Sequence, residues 1–509
     1  MMQQRVQTET PSVPPETGRL WPVSDEPAGP SVPWRGLALL TAAAAVLRLI
    51  ALNQQLWYDE ITTLLDFVRP PFGRIFVTYS SENQHFLYSI LAWISVHTFG
   101  DHPWTLRLPA VLFGVLSIPT LYLLARRLTT RAEALWACAL MTVSYHHVWF
   151  SQNARGYTGL LLFTLVATYF FVRGSRENRQ VFWIGYGIAA ALGVYVHLSM
   201  AFIVAGHGLV YLWMLASRHR ELQASLRDYL RPLAGFVVAG GLSLVLYSPV
   251  LGQVFARASS WATARVTFEW SNPRWLLEET LRGLTAGMGA AGLLVVISAA
   301  FVAFVGFVSY WRANRYAVGL LVLPGLTTAT VLAALGHNLW PRMFFFSIGF
   351  AFLFLVRGVM RVAEWMVSRV GGSARAAQFT ATAFLILGMA GSVWMLRAAY
   401  LYPKQDFVGA MEAVEAARQP GEPVVTVGLT TIPYRAYYGR DWPAVKTGQE
   451  LQALRAHGSR VWLLYTSPIH LRARHPDIWN IIQAEFATVR IFRGTLGNGE
   501  VYICQAPPR

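Results

Sequence analysis

Lysine is nearly missing from this chain. Lys404 and Lys446 are the only two among 509 residues, yet the formal net charge is +16, so arginine carries almost all of the positive charge. Charge of either sign is scarce as well: 13% of residues are Asp, Glu, Lys or Arg, where soluble domains average about 25%. With 54% hydrophobic residues and a mean hydropathy of +0.39, that shortage excludes an ordinary soluble domain and points to an integral membrane protein. Only two cysteines occur, Cys138 and Cys504, far apart, which excludes a disulfide framework and any zinc-type ligand spacing. There is no glycine-rich phosphate loop and no repeat of solenoid length. Residues 1–35 contain no apolar core of the kind a signal peptide needs, and read as a disordered cytoplasmic tail.

What is present in quantity is apolar sequence. A spanning helix needs roughly 17–25 mostly apolar residues. Segments that qualify fall near 36–53, 105–125, 132–150, 157–173, 181–199, 200–216, 233–252, 286–310, 316–336, 342–360 and 379–399, which makes about eleven transmembrane helices. Arginines follow every second one: Arg126, Arg127 and Arg131; Arg173, Arg176 and Arg179; Arg218, Arg220, Arg227 and Arg231; Arg312 and Arg315; Arg357, Arg361, Arg369 and Arg375. Such clusters mark cytoplasmic ends, so the arginine excess reports topology, and no nucleic-acid partner is expected. The N-terminus is then inside and the C-terminus outside. Residues 54–103 form a first exofacial loop, in which 85–99 is too short to span and reads as a juxtamembrane helix along the surface. Residues 253–285, with Trp261, Trp270 and Trp275, form a second. Beyond the membrane part, 36–403, residues 404–509 alternate helical and strand-like patterns. Phe407–Arg418 reads as a helix and Pro423–Val427 and Val461–Tyr465 as strands. Phe486–Phe492 and Glu500–Cys504 read as a hairpin turned at Asn498-Gly499. This is an extracytoplasmic α/β domain.

On this topology the chemically capable residues gather on one side. Asp59 and Glu60 follow the first span, at Trp57-Tyr58-Asp59-Glu60. Carboxylates so near the hydrocarbon boundary are costly unless used or paired, and they suit general-base or metal work on a lipid-borne substrate. Glu82 and His85 are outside, as are His146, His147, Gln152, Asn153, Arg155 and Tyr157, then His197, and finally His337, Asn338 and Arg342. Each also has a plainer reading. Trp57 and Tyr58 are belt aromatics or substrate contacts, with the belt favoured. Arg155 and Arg342 snorkel or bind substrate, and His197 is a satisfied bundle histidine or a ligand. Arg48, inside the first span, snorkels or pairs within the bundle.

Several blocks together resemble the GT-C membrane glycosyltransferases, most of all the protein O-mannosyltransferase-like and aminoarabinose-lipid A transferase-like enzymes. They are the aromatic-Asp-Glu motif and His85-Phe86-Leu87-Tyr88 leading to Phe99-Gly100-Asp101 and Leu106-Arg107-Leu108-Pro109-Ala110. They continue with Ser151-Gln152-Asn153-Ala154-Arg155-Gly156-Tyr157, Pro341-Arg342, and Lys404-Gln405-Asp406-Phe407 running on to Pro420-Gly421-Glu422. Three positions depart from the family pattern: Asn153 stands for a glutamate, Phe86 for a proline and Met343 for a tyrosine. The resemblance implies transfer of a sugar from a polyprenyl-phosphate donor to an extracytoplasmic lipid, glycan or protein acceptor, with inversion. It implies Asp59 as general base and Arg155 and Arg342 on the donor phosphate. Glu60 would orient the acceptor, and His85, Tyr157, Asn153, His337 and Tyr58 would contact substrate. Members differ over a divalent cation; Glu60, His85 and His197 are the candidate ligands. The rival class is a polytopic transporter or lipid flippase. That class places its polar groups near the midplane, often on repeated halves, whereas here the acids cluster at one face. A non-catalytic assembly protein is the third reading.

Overall fold

The computed structural model describes residues 32–218, 226–263, 270, 272–285 and 288–508. The expected cytoplasmic tail therefore lies outside the described residues for all but its last few positions. Each of the eleven expected segments is helical, but they are not equal. Eight described helices are long and apolar enough to cross a membrane. The other three, Trp34–Leu49, Arg131–Val143 and Gln180–Val196, have 16, 13 and 17 residues. The expected span 132–150 is broken because Ser144 is extended (φ −63°, ψ 124°). Its side chain caps a second short helix, Tyr145–Ser151, by accepting from the His147 N–H. Phe86–Phe99 is apolar but only 14 residues long.

The helices pack closely where side chains are small. Gly306 on Gly292–Ala313 and Gly358 on Ile348–Arg369 face one another, and a methyl group at either would overlap a carbonyl of the opposite helix. Close backbone approach of this kind drives helix association where no hydrophobic effect is available between helices.

After the last long helix, Ala374–Leu401, the chain builds a five-stranded sheet: β1 (Val424–Val427), β2 (Ala444–Val445), β3 (Val461–Thr466), β4 (Ala487–Phe492) and β5 (Val501–Ala506). The spatial order is β2-β1-β3-β5-β4, parallel across β2, β1 and β3 and antiparallel across β3, β5 and β4. Side chains alternate across β3. Trp462 and Leu464 join the hydrophobic core that runs up from the helices, while Val461, Leu463 and Tyr465 join a second core with Leu471, Ile478, Ile482 and Cys504. Both faces are thus covered at β1 and β3, as parallel strands require, while the antiparallel edge strand β4 is largely exposed. The expected β4–β5 pairing is present, but Asn498-Gly499 is not a two-residue turn. It ends an irregular connection from Arg493 to Glu500, with Asn498 at φ 56°, and a register shift at Thr488/Arg490 bends β4.

Candidate active site

Asp59 and Glu60 sit on a short helix, Tyr58–Thr63, that enters from an extended Trp57 (φ −93°, ψ 172°). Adjacent helical residues point about 100° apart, and the two carboxylates go separate ways. Glu60 turns into the protein and is fully buried. Arg107 forks onto it, Nε to Oε1 at 2.8 Å and Nη2 to Oε2 at 2.6 Å, and the Ala154 N–H adds a bond to Oε1 at 2.8 Å. Arg107 spends its remaining donors on the carbonyls of Leu52, Gln54 and Gln55. Burial by itself would raise the Glu60 carboxyl; Arg107, then Lys404 and the bonds it accepts, hold it below the usual range.

Asp59 turns the other way. Its Oδ2 is paired with Arg155 Nη1, and Arg342 Nη1 lies 3.8 Å from the same oxygen. Arg155 is buried and orients itself through a second partner, its Nε donating to His85 Nε2 at 3.0 Å. That nitrogen is therefore unprotonated, and His85 is neutral with its proton on Nδ1, bonded to the Val196 carbonyl. Burial, then the neighbouring Arg155 and His197, push the His85 imidazole well below its ordinary value. Gly156 makes the arrangement feasible: a Cβ there would overlap the Val196 carbonyl and crowd the His85 ring. His197 stacks on His85 with centroids 4.8 Å apart, and Arg155 lies over Tyr157 at 5.4 Å.

His85, Arg155, Tyr157, His197 and Arg342 line a cavity of about 110 Å³, and Asp59 reaches it through its pairing with the two arginines. The lining mixes these with apolar Leu198, Phe202, Leu332 and Met343, and also includes Glu82, Asn83 and His337. His337 Nε2 is 3.2 Å from Glu82. Burial opposes protonation of that imidazole, but Glu82 outweighs it and raises its pKa. Two polar atoms at the cavity residues are buried without a hydrogen bond, the Tyr157 hydroxyl and Arg342 Nε. Arg342 otherwise rests on the Trp340 ring at 4.6 Å.

The structure thus brings together Asp59, Arg155, Arg342, His85, Tyr157, His197 and His337, drawn from five separate stretches of sequence. It does not bring in Glu60, Asn153 or Tyr58. The expectation that Glu60 orients an acceptor or shares a metal meets a carboxylate already taken by Arg107 and Ala154. Asn153 accepts from Trp57 Nε1 at 3.0 Å inside the protein, so both are structural, and Trp57 is no belt aromatic. Tyr58 packs against the core, and its N–H bonds Gln405. As a ligand set, Glu60, His85 and His197 do not fit a divalent cation: the carboxylate is forked by Arg107, and both His85 nitrogens have partners. Among the described residues no group of three His, Cys, Asp or Glu is arranged to hold a metal. Arg48 pairs inside the bundle with the Ala44, Met141 and Thr142 carbonyls and with His147. Arg107 is the residue whose role the sequence reading missed; an arginine inside an apolar helix, Pro103–Ala125, was the signal.

Comparison with known proteins adds the following. Residues 83–252 match the family model for dolichyl-phosphate-mannose-protein mannosyltransferases. The fold resembles that of ArnT from Cupriavidus metallidurans in the apo state (TM-score 0.52, 14% identity, covering 93% of this chain and 99% of that one). It also resembles the archaeal oligosaccharyltransferase AglB from Archaeoglobus fulgidus, solved with an inhibitory peptide and a dolichol-phosphate (TM-score 0.50, 12% identity, covering 92% of this chain and 74% of that one). No curated protein matches by sequence.

Proposed function

We propose that this chain, whose residues 83–252 match a mannosyltransferase family model and whose fold resembles ArnT and AglB, is a membrane glycosyltransferase of the GT-C kind that moves a sugar from a polyprenyl-phosphate donor to an acceptor hydroxyl on the outer side of the membrane. The observation that carries the proposal is the sharing of one Asp59 oxygen by Arg155 and Arg342, two arginines that line a small cavity. In this reading the two guanidiniums grip the donor phosphate, for which a planar fork of donors is well shaped. They also stabilise it as it leaves. His85 fixes the Arg155 plane. The Tyr157 hydroxyl, buried without a hydrogen-bond partner in the protein, donates to the phosphate or the sugar. Asp59 takes the acceptor proton as the hydroxyl attacks the anomeric carbon opposite the phosphate, so configuration inverts. No step passes through a metal. The dolichol-phosphate carried by AglB supports a lipid phosphate as the ligand class; the acceptor here is a lipid, glycan or protein.

Orientation belongs to the same proposal, with the arginine-rich helix ends cytoplasmic and Asp59 and the sheet domain outside. The decisive experiment is sugar transfer by purified protein with Asp59→Asn, alongside donor binding by Arg155→Ala and Arg342→Ala. Transfer should vanish in the first. Donor affinity should fall about 10- to 100-fold in the others, as expected for charge-assisted hydrogen bonds, and more in Arg155→Ala, whose guanidinium is the buried one. Normal turnover in Asp59→Asn, or unchanged affinity in both arginine variants, overturns the assignment. Labelling a cysteine at position 59 only from the cytoplasmic side overturns the topology.

A further inference from the structure

The helix that presents Asp59 has an unusual beginning. It is six residues long, and its flanking residue, Trp57, offers no side-chain oxygen to the free N–H groups of the first turn. The Tyr58 N–H is satisfied instead by a side chain 347 residues further along: Gln405 Oε1 accepts it at 2.9 Å. The other end of the same amide donates to the sheet domain, Nε2 to Thr466 Oγ1 and to the Gly499 carbonyl, both at 3.2 Å. Thr466 is the last residue of β3, and Gly499 lies just before β5. One buried amide therefore touches the acid-bearing helix on one side and two sheet elements on the other.

The contacts around it make the connection rigid. Gln55 Nε2 donates to Asp406 Oδ1 (2.8 Å), and Gln55 Oε1 accepts from the Val408 N–H (3.0 Å). Gln54 Nε2 donates to the Tyr400 carbonyl (2.6 Å), and Lys404 Nζ to the Gln152 carbonyl (2.6 Å). Residues 400–408 thus hold the segment before Asp59 and the turn before Arg155 together.

We propose that Gln405 is a positioning residue for Asp59: it caps the Tyr58–Thr63 helix from outside and ties the direction of the Asp59 carboxylate to the placement of the sheet domain. The helix runs on directly into the wider turn Leu64–Val68 and is anchored through Glu60 by Arg107, but its first turn lacks a side-chain cap of its own, so the bond from Gln405 fixes the end that carries Asp59. The inference rests on the proposed role of Asp59, but the structural link stands or falls by itself.

The experiment is hydrogen–deuterium exchange on the full-length protein in nanodiscs, comparing wild type with Gln405→Leu, Gln405→Glu and Thr466→Val, together with binding of undecaprenyl phosphate. Gln405→Leu should raise exchange in peptides covering 57–66 at least tenfold, with little change in the distant helices. Undecaprenyl phosphate affinity should rise by about two- to fivefold, because a displaced Asp59 carboxylate repels the phosphate less. Gln405→Glu keeps an acceptor for Tyr58 but loses the donor, so protection at 57–66 should be partly retained while exchange near Thr466 and Gly499 rises. Thr466→Val, which removes one sheet-side acceptor without changing size, should give an intermediate rise at 57–66. It keeps the proposal testable if the Gln405 variants do not fold. Unchanged exchange at 57–66 in Gln405→Leu, or an even rise across the whole protein, overturns the positioning role. Loss of positioning without any change in phosphate affinity would instead count against the proposed function.

Discussion

Asp59→Asn removes one negative charge while keeping the side chain's shape, and its two effects should run in opposite directions. Asp59 Oδ2 pairs with Arg155 and lies 3.8 Å from Arg342 Nη1. A donor phosphate gripped by the same guanidiniums would stand on the order of 5–6 Å from that carboxylate. At an effective dielectric near 20, two unit charges at this distance repel by about 3 kcal/mol. Asp59 retains some solvent contact and salt screens what remains, so a net repulsion of about 1–2 kcal/mol is the reasonable figure. Removing it should tighten undecaprenyl phosphate binding by about 5- to 30-fold. Loss of the base should slow transfer by about a hundred- to ten-thousand-fold. The assays are undecaprenyl phosphate binding to nanodisc-embedded protein at two salt concentrations, and sugar release from a polyprenyl-phosphate sugar. The gain in affinity should shrink at high salt. Equal or weaker binding by the asparagine variant would refute the shared-guanidinium geometry even if transfer were lost.

Further outcomes follow from the same contacts. Arg107→Ala should destabilise the protein by about 3–5 kcal/mol, because it leaves Glu60 buried and uncompensated; thermal unfolding in detergent checks this, and Arg107→Ala with Glu60→Ala should recover part of the loss. Tyr157→Phe should not lower the melting temperature, since the buried hydroxyl has no hydrogen-bond partner to lose. It should weaken donor binding about 5- to 10-fold by the loss of one hydrogen bond; a drop in stability with unaltered donor affinity would place that hydroxyl in packing instead. Arg155→Lys keeps the charge but not the fork or the bond to His85, and should lose most of the affinity that Arg155→Ala loses.

Much of this architecture is written in periodicity and charge. Apolar runs locate the helices, and the ordering of short polar blocks brings Asp59, Arg155 and Arg342 to one end. What periodicity could not reveal is partnership at a distance. Glu60 reads like Asp59 in sequence, and only the fold gives it Arg107, 47 residues on. Helix geometry did hold a hint, because neighbours diverge too far to share one small pocket. The sheet domain was legible in its longer strands and less so between them. β2 has only two residues, and the turns Gly428–Thr430 and Ile432–Tyr437 follow no simple period. The break at Ser144 was also hidden, since the flanking residues are apolar enough to suggest one continuous span.

The scarcity of lysine gives its placement meaning. Lys404 is buried, donates to the Gln152 carbonyl, and lies within electrostatic range of both Glu60 and Arg107. Glu60 is already neutralised by a forked guanidinium, so a second permanent cation there would be unpaired in a poorly solvated place. An amine can lose its proton, whereas a guanidinium cannot. Burial first, and then Arg107, lower the Lys404 pKa to about 7 against the pull of Glu60. The ordinary value is about 10.4, so between pH 7 and about 10 the unfolded chain holds a proton that the folded chain has released. Stability from this group must then rise with pH across that window and level off below pH 7, where both states are charged. The melting temperature of wild type relative to Lys404→Met should accordingly increase from pH 7 to pH 9.5. Lys404→Arg, unable to discharge, should remain less stable than wild type at every pH in the range. Parallel pH profiles for wild type and Lys404→Met would mean that the amine keeps its proton in the fold and that the choice of lysine has some other cause.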